Sequence, residues 1–185
     1  KGPVWGFGED DMQEQIVKFI KNLSFEVEEL NLGDDFNEAA SSHEIIMNGS
    51  IAKSLSQYYK TEKEKLHPFT ISRIEAGFPV SAKQYIESIE NAKKMQQTLN
   101  KIFNKFDAII TPAAPGQAPR DLMNTGNAIF NGYWTMMGVP AISLPLLKGK
   151  DSLPIGVQII TSWNEDFKLL KIAEYILQET KKLAD

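Results

Sequence analysis

FDAIITPAAPGQAPRDLMNTGNAIFNGYWTMMGVPAISLPLLKGKDSLPIGVQIIT, residues Phe106 to Thr161, is the stretch on which the reading of this chain turns. Three short apolar runs stand out in it: Ala108 to Ile110, Ala141 to Leu146 and Ile155 to Ile160. Each is bounded by proline or glycine and is shorter than an ordinary helix, which favours buried strands. After the first run, Pro112, Pro115, Gly116 and Pro119 make a loop. Proline fixes φ and removes backbone donors, so this loop should be stiff and extended. A helix should follow it, starting near Asn124 or Thr125, either of which can cap a first turn. Asn127, Asn131 and Thr135 would then share one polar face, with Phe130, Trp134 and Met137 on another. Gly126, Gly132 and Gly138 are costly inside a helix, which points to caps or close backbone contacts.

Toward the N-terminus the pattern is helical. Pro3 to Glu9 reads as a Gly-rich loop, and Met12, Ile16, Phe19, Ile20 and Leu23 recur at helical spacing from Asp10 onward. Phe25 and Val27 alternate with Glu26 and Glu28, the pattern of a half-buried strand. Phe36, Ala40, His43, Met47, Ile51, Leu55 and Tyr58 mark one face of a long helix, and the charged run Lys60 to Lys65 reads as its solvated end. His67-Pro68 bars helix continuation. A short helix over about 70–76 should end at Gly77 as a C-cap, and Ser81 with Gln84 fits a capping box opening a helix over about 82–104. A last helix spans about 164–183. The fold class is α/β, a mixed β-sheet covered by helices, with 1–60 as helix, strand and long helix, 61–104 as a helical connector and 105–185 as the sheet-forming core.

Five blocks of the opening stretch also resemble a known family in order and spacing. They are Phe106-Asp107-Ala108-Ile109-Ile110-Thr111-Pro112, Thr125-Gly126-Asn127, Phe130-Asn131 with Trp134-Thr135, Gly138-Val139-Pro140-Ala141-Ile142-Ser143-Leu144-Pro145, and Leu153-Pro154-Ile155-Gly156-Val157-Gln158-Ile159. Together they are similar to the C-terminal part of the amidase signature family, and the likeness extends back to Pro3-Val4-Trp5. The resemblance implies a hydrolase of linear carboxylic amides that needs neither metal nor organic cofactor. It also implies a catalytic serine, a second serine preceded by a cis peptide bond, and a lysine, together with a Gly/Ser-rich segment, upstream of the part matched here, whose backbone N–H groups stabilise the oxyanion. No such segment occurs in this chain, whose twelve glycines are scattered. No residue here therefore inherits a catalytic role, and residues 1–185 are expected to be an inactive C-terminal fragment of one larger amidase domain. The opening residue, Lys1 rather than Met, fits that expectation. Within the family, the A subunit of a glutamyl-tRNA amidotransferase is the second reading; a non-catalytic interaction module is the third.

Composition narrows the partners. The net charge is -4 with a pI near 5.3, and no basic block dominates, which argues against nucleic acid or an anionic membrane as partner. Without cysteine there is no disulfide, thiolate nucleophile or Cys-based metal site, which suits a cytoplasmic protein. No apolar run reaches the roughly 20 residues of a membrane-spanning helix. The expected partners are a small-molecule amide for the whole enzyme and other copies of the chain for the fragment, whose strand edges would be open.

Thr125, Asn131 and Trp134 are the candidate substrate-binding residues, because they set donors and acceptors beside an aromatic surface near a strand end. The competing assignment has Asn131 satisfying nearby backbone groups and Trp134 filling the core. Ser50-Ile51-Ala52-Lys53 matches the S-x-x-K pattern of Ser-Lys acyl enzymes, but the companion motifs are absent and an amphipathic helix explains both residues. Neither His43 nor His67 is offered as a base.

Overall fold

The computed structural model describes residues 2–182. The three apolar runs become strands β1 (Ile109–Pro112), β2 (Ala141–Lys148) and β3 (Pro154–Ile160), which share one sheet in the order β1-β3-β2. Both pairings are antiparallel, with Ile109 and Ala141 opposite Ile160, and Thr111 and Ser143 opposite Gln158. The expected mixed sheet is thus represented among the described residues by antiparallel pairings alone. β3 is buried almost throughout, Val157, Ile159 and Ile160 being fully enclosed, which is why it reads as a continuous apolar run rather than an alternating one.

Helices α1 (Asp10–Lys21), α2 (Ala39–Thr61), α3 (Pro68–Gly77), α4 (Ala82–Phe103), α5 (Gly132–Met137) and α6 (Asp166–Lys182) surround that sheet. α1 and α6 pack on the strands through Met12, Ile16, Leu169, Ala173 and Ile176, and α4 adds Met95 and Leu99 to the same core. The expected capping box is formed: Ser81 Oγ accepts from Gln84 N, and Gln84 Oε1 accepts from Ser81 N. His67 caps α3 by accepting from Phe69 N, with Pro68 at the first helical position, where its missing N–H costs nothing. The last helix, expected over about 164–183, starts at Asp166 and is described as far as Lys182; Leu183 lies outside the described residues.

Four expectations are corrected. No helix starts at Asn124 or Thr125, because the asparagines bond locally instead: Asn124 Oδ1 accepts from Gly126 N and Asn127 Oδ1 from Ile129 N. With Gly126 at φ +85 the backbone turns away from helical geometry, and α5 begins only at Gly132. Residues 25–28 form no strand, since no neighbour supplies a ladder; Val27 is exposed. On α2 the buried residues are Ala39, Ser42, Asn48 and Ala52 rather than the large apolar row, and Tyr58 is exposed. Gly77 is the reason: a Cβ there would sit 2.6 Å from Ala52 Cβ and closer still to Asn48 O, so α2 and α3 meet backbone to backbone. Gly77 is therefore the last residue of α3 and a contact point rather than its C-cap.

Candidate functional site

β1 runs out into the Pro-rich loop at Ala113, whose N–H donates to Gly156 O across the strand end. Asn131, just ahead of α5, binds this loop to the sheet. Its Nδ2 donates to Ala113 O at 2.9 Å, and its Oδ1 accepts from Gln158 Nε2 at 2.6 Å. Gln158 in turn lies between Thr111 and Ser143 in register, so a polar row crosses three strands beneath the loop. Gly156 allows the closure, because a Cβ there would be 2.8 Å from Ala113 Cβ. Farther out, Gln117 Nε2 and Arg120 bind Asp151 at 2.6 and 2.8 Å, tying the loop to the β2–β3 turn. The Arg120 guanidinium holds the Asp151 carboxyl below its usual value.

α5 is held from three sides. The His43 imidazole from α2 occupies the space a side chain at 132 would need, with Nδ1 2.7 Å from that Cβ position. Burial lowers the pKa of His43, an effect Glu44 opposes and Arg73 adds to, so the ring lies against α5 neutral near pH 7. From α4, Gln96 Nε2 donates to Met137 O at 3.2 Å. Gly138 closes the helix in the left-handed conformation, φ +67, one of the cap roles expected of these glycines. Tyr133 and Trp134 are both 2% exposed with ring centroids 4.5 Å apart, and burial pushes the Tyr133 phenol up, keeping it un-ionised.

The three candidate residues are thus in different situations. Thr125 is exposed in the loop, Asn131 is committed to loop and strand, and Trp134 is enclosed. Trp134 Nε1 and Gln158 Oε1 are nevertheless buried with no hydrogen-bond partner. Gln158, central to the polar row, went unmarked in the sequence because it sits inside an otherwise apolar strand; a lone buried-type amide in such a run was the available signal. Ser50 Oγ pairs with Tyr85 OH at 3.1 Å while Lys53 is exposed, so the S-x-x-K pair assembles no catalytic contact. No group of three or more potential metal-ligating side chains clusters among the described residues. A cavity of about 790 Å³ opens beside β1, lined by Ile109–Pro112, residues 25–30, and the side chains of Tyr133 and Trp134.

The sequence model of the Amidase family matches residues 14–170, most of the chain and including every element of this site. The chain belongs to the Amidase family. The A subunit of the glutamyl-tRNA(Gln) amidotransferase of Clostridium botulinum (strain Eklund 17B / Type B) is 31% identical over 144 residues, covering 71% of this chain and 30% of that relative. Among solved structures, one described as an amidase superposes with a TM-score of 0.81 at 18% identity, over 92% of this chain and 43% of its own. A chain from a structure described as a vestigial protein complex that reveals the evolutionary origins of an s-triazine catabolic enzyme, with inhibitor bound, also reaches 0.81 at 18% identity, over 95% and 40%. At that identity the likeness shows the fold. This amidase chain therefore spans less than half the length of the relatives it matches.

Proposed function

We propose that residues 1–185 are the C-terminal portion of a single larger amidase domain, and that the whole protein hydrolyses a carboxylic amide to an acid and ammonia or an amine. The match to the amidase model over residues 14–170 carries this reading. In the proposed reaction a serine oxygen attacks the amide carbonyl while a second serine relays its proton and a neutral lysine serves as the final base. The C–N bond breaks, the amine leaves with the proton, and water releases the acid from the acyl-serine. Backbone N–H groups of a Gly/Ser-rich segment stabilise the oxyanion. All of these groups lie outside residues 1–185, which supply a wall: Thr125 offers a hydroxyl to substrate, Asn131 holds the Pro-rich loop at its height, and Trp134 shapes the interior. Neither metal nor organic cofactor takes part, and the protein works in the cytoplasm.

The product of the complete reading frame, purified and assayed for ammonia release from simple aliphatic and aromatic amides, is expected to turn over. Residues 1–185 alone are expected to be inert and, with the β1 edge open, to sediment as dimers or larger species. Turnover by residues 1–185 that disappears in Ser50→Ala would overturn the proposal. The names of the matched relatives favour a second reading, the A subunit of a glutamyl-tRNA amidotransferase. Glutamine-dependent ammonia production together with co-purifying companion subunits would select it; an active homo-oligomer would select the free amidase.

A further inference from the structure

The bond from Asn131 Nδ2 to Ala113 O joins points 18 residues apart, so it closes the base of the loop 113–131, in which Thr125 lies. Both backbone groups of Ala113 are held there, the N–H by Gly156 O and the C=O by Asn131, each at 2.9 Å. The orientation in which the chain leaves β1 is thereby fixed. Farther along, the loop is tied to other elements: Pro115 O accepts from Glu9 N at 2.7 Å, and Arg120 pairs with Asp151.

The direction of these bonds decides what Gln158 does. A carbonyl oxygen only accepts, so Asn131 must turn its amide nitrogen toward Ala113, which leaves Oδ1 on the side of β3. A reversed amide would set oxygen against oxygen. Gln158 Nε2, donating to that Oδ1 at 2.6 Å, holds the orientation that closes the loop. Gln158 is 6% exposed, the one polar side chain of β3, and its Oε1 is buried without a partner among the described residues. A buried amide half satisfied adds little to a core, so the orientation it imposes accounts for it better than packing does. We propose that Gln158 is a positioning residue of the amide site: it orients the Asn131 amide, Asn131 closes the base of the loop, and the loop presents Thr125 to the substrate. This rests on the reading of the whole protein as an amidase. The clasp acts alike on bound substrate and on the transition state, so its loss should raise KM and spare kcat.

The test uses the product of the complete reading frame. Gln158→Met, an apolar side chain of similar length, is expected to raise KM about fivefold, the net worth of one hydrogen bond, with kcat within about twofold and the urea midpoint nearly unchanged. Asn131→Asp, at a half-buried position, keeps the acceptor for Gln158 and loses the donor to Ala113; it should raise KM by a like factor, and it decides alone should Gln158→Met not fold. The double variant should raise KM no further than the larger single, because both changes open one clasp. An unchanged KM in either single variant would overturn the inference, as would factors that multiply in the double. Hydrogen exchange separates this outcome from the activity itself. Should the complete protein cleave no amide, the amidase reading fails, while amides 113–118 quickening about fivefold in Gln158→Met, with 155–157 unchanged, would still support the clasp. Unchanged exchange at 113–118 would remove it.

Discussion

In the sheet half of the chain, residues 105–182, the enclosed side chains are large: Phe130, Tyr133, Trp134, Ile155, Ile159 and Ile160. In the helical pair α2 and α3, residues 39–77, the two helices touch through Asn48, Ala52 and Gly77, while Phe69 and, just beyond α3, Phe78 are 61% and 51% exposed. The first arrangement draws its stability from apolar area removed from water, at about 25 cal/mol per Å². The second depends on close backbone approach, in which each contact is weak and only their number counts. A protein built this way should open first in its helical pair and keep its sheet longest.

Substitutions can break that contrast. The largest effect is expected from Ile159→Ala, which leaves a cavity in the fully buried strand; about 3–5 kcal/mol of stability should be lost in urea unfolding, with exchange quickening in both regions. Gly77→Ala should cost about 1–3 kcal/mol, because the new methyl meets backbone that cannot yield. Its exchange signature should be confined to α2 and α3; spread into β3 would show that the two regions unfold together. Asn131→Ala should cost about 1–2 kcal/mol by leaving Ala113 O and the Gln158 amide with one partner fewer, and should quicken exchange in the loop 113–119. Ser81→Ala removes the cap of α4 and should cost about 1 kcal/mol, read from the urea midpoint.

The smallest effect is pH-dependent. His43 has its folded pKa below the ordinary imidazole value of 6.5, so the unfolded chain takes up the proton first as pH falls. Stability from this group is intact above 6.5, falls through the interval below it, and stops falling beneath the folded pKa. Urea midpoints compared between about pH 7.5 and about pH 5.5, a range above most carboxylate titrations, should therefore drop in the native chain and drop less in His43→Gln. An equal slope in both would remove His43 from the contact between α2 and α5.

The same contrast explains what could be read from the residues alone. The sheet half was legible because short, mostly apolar runs with breakers at their ends mark strands, as Ala141–Leu146 and Ile155–Ile160 do; only the second is buried as expected, whereas β2 is exposed or half-buried except at Leu144 and Leu147. The capping box at Ser81 was legible because its chemistry is local. The buried face of α2 was not, since periodicity assigns burial to large apolar residues, whereas a neighbour carrying Gly77 selects small ones. Phe25 and Val27 alternate as a strand should, but a strand exists only with a partner, and pairing is not a property of one segment. At Asn124 and Asn127 the same side chains that can cap a helix instead closed turns of their own. For the site, Asn131 was found through its block of sequence, whereas its tie to Gln158 depends on a register no single run reveals.

α5 has only six residues, too few for a helix to persist unaided. It is kept in shape by an imidazole from α2, an amide from α4 and the Asn131 side chain bound to Gln158 of the sheet. Its attitude is consequently dictated by neighbours on opposite sides of the molecule, and any sliding of one against the other must tilt it. Because the indole at position 134 rides on that helix in a dry setting, whereas the one at 163 stands in solvent, the blue component of the tryptophan emission, recorded in Trp5→Phe to remove the third, half-buried indole, would act as a gauge of how the helical layer is seated on the sheet.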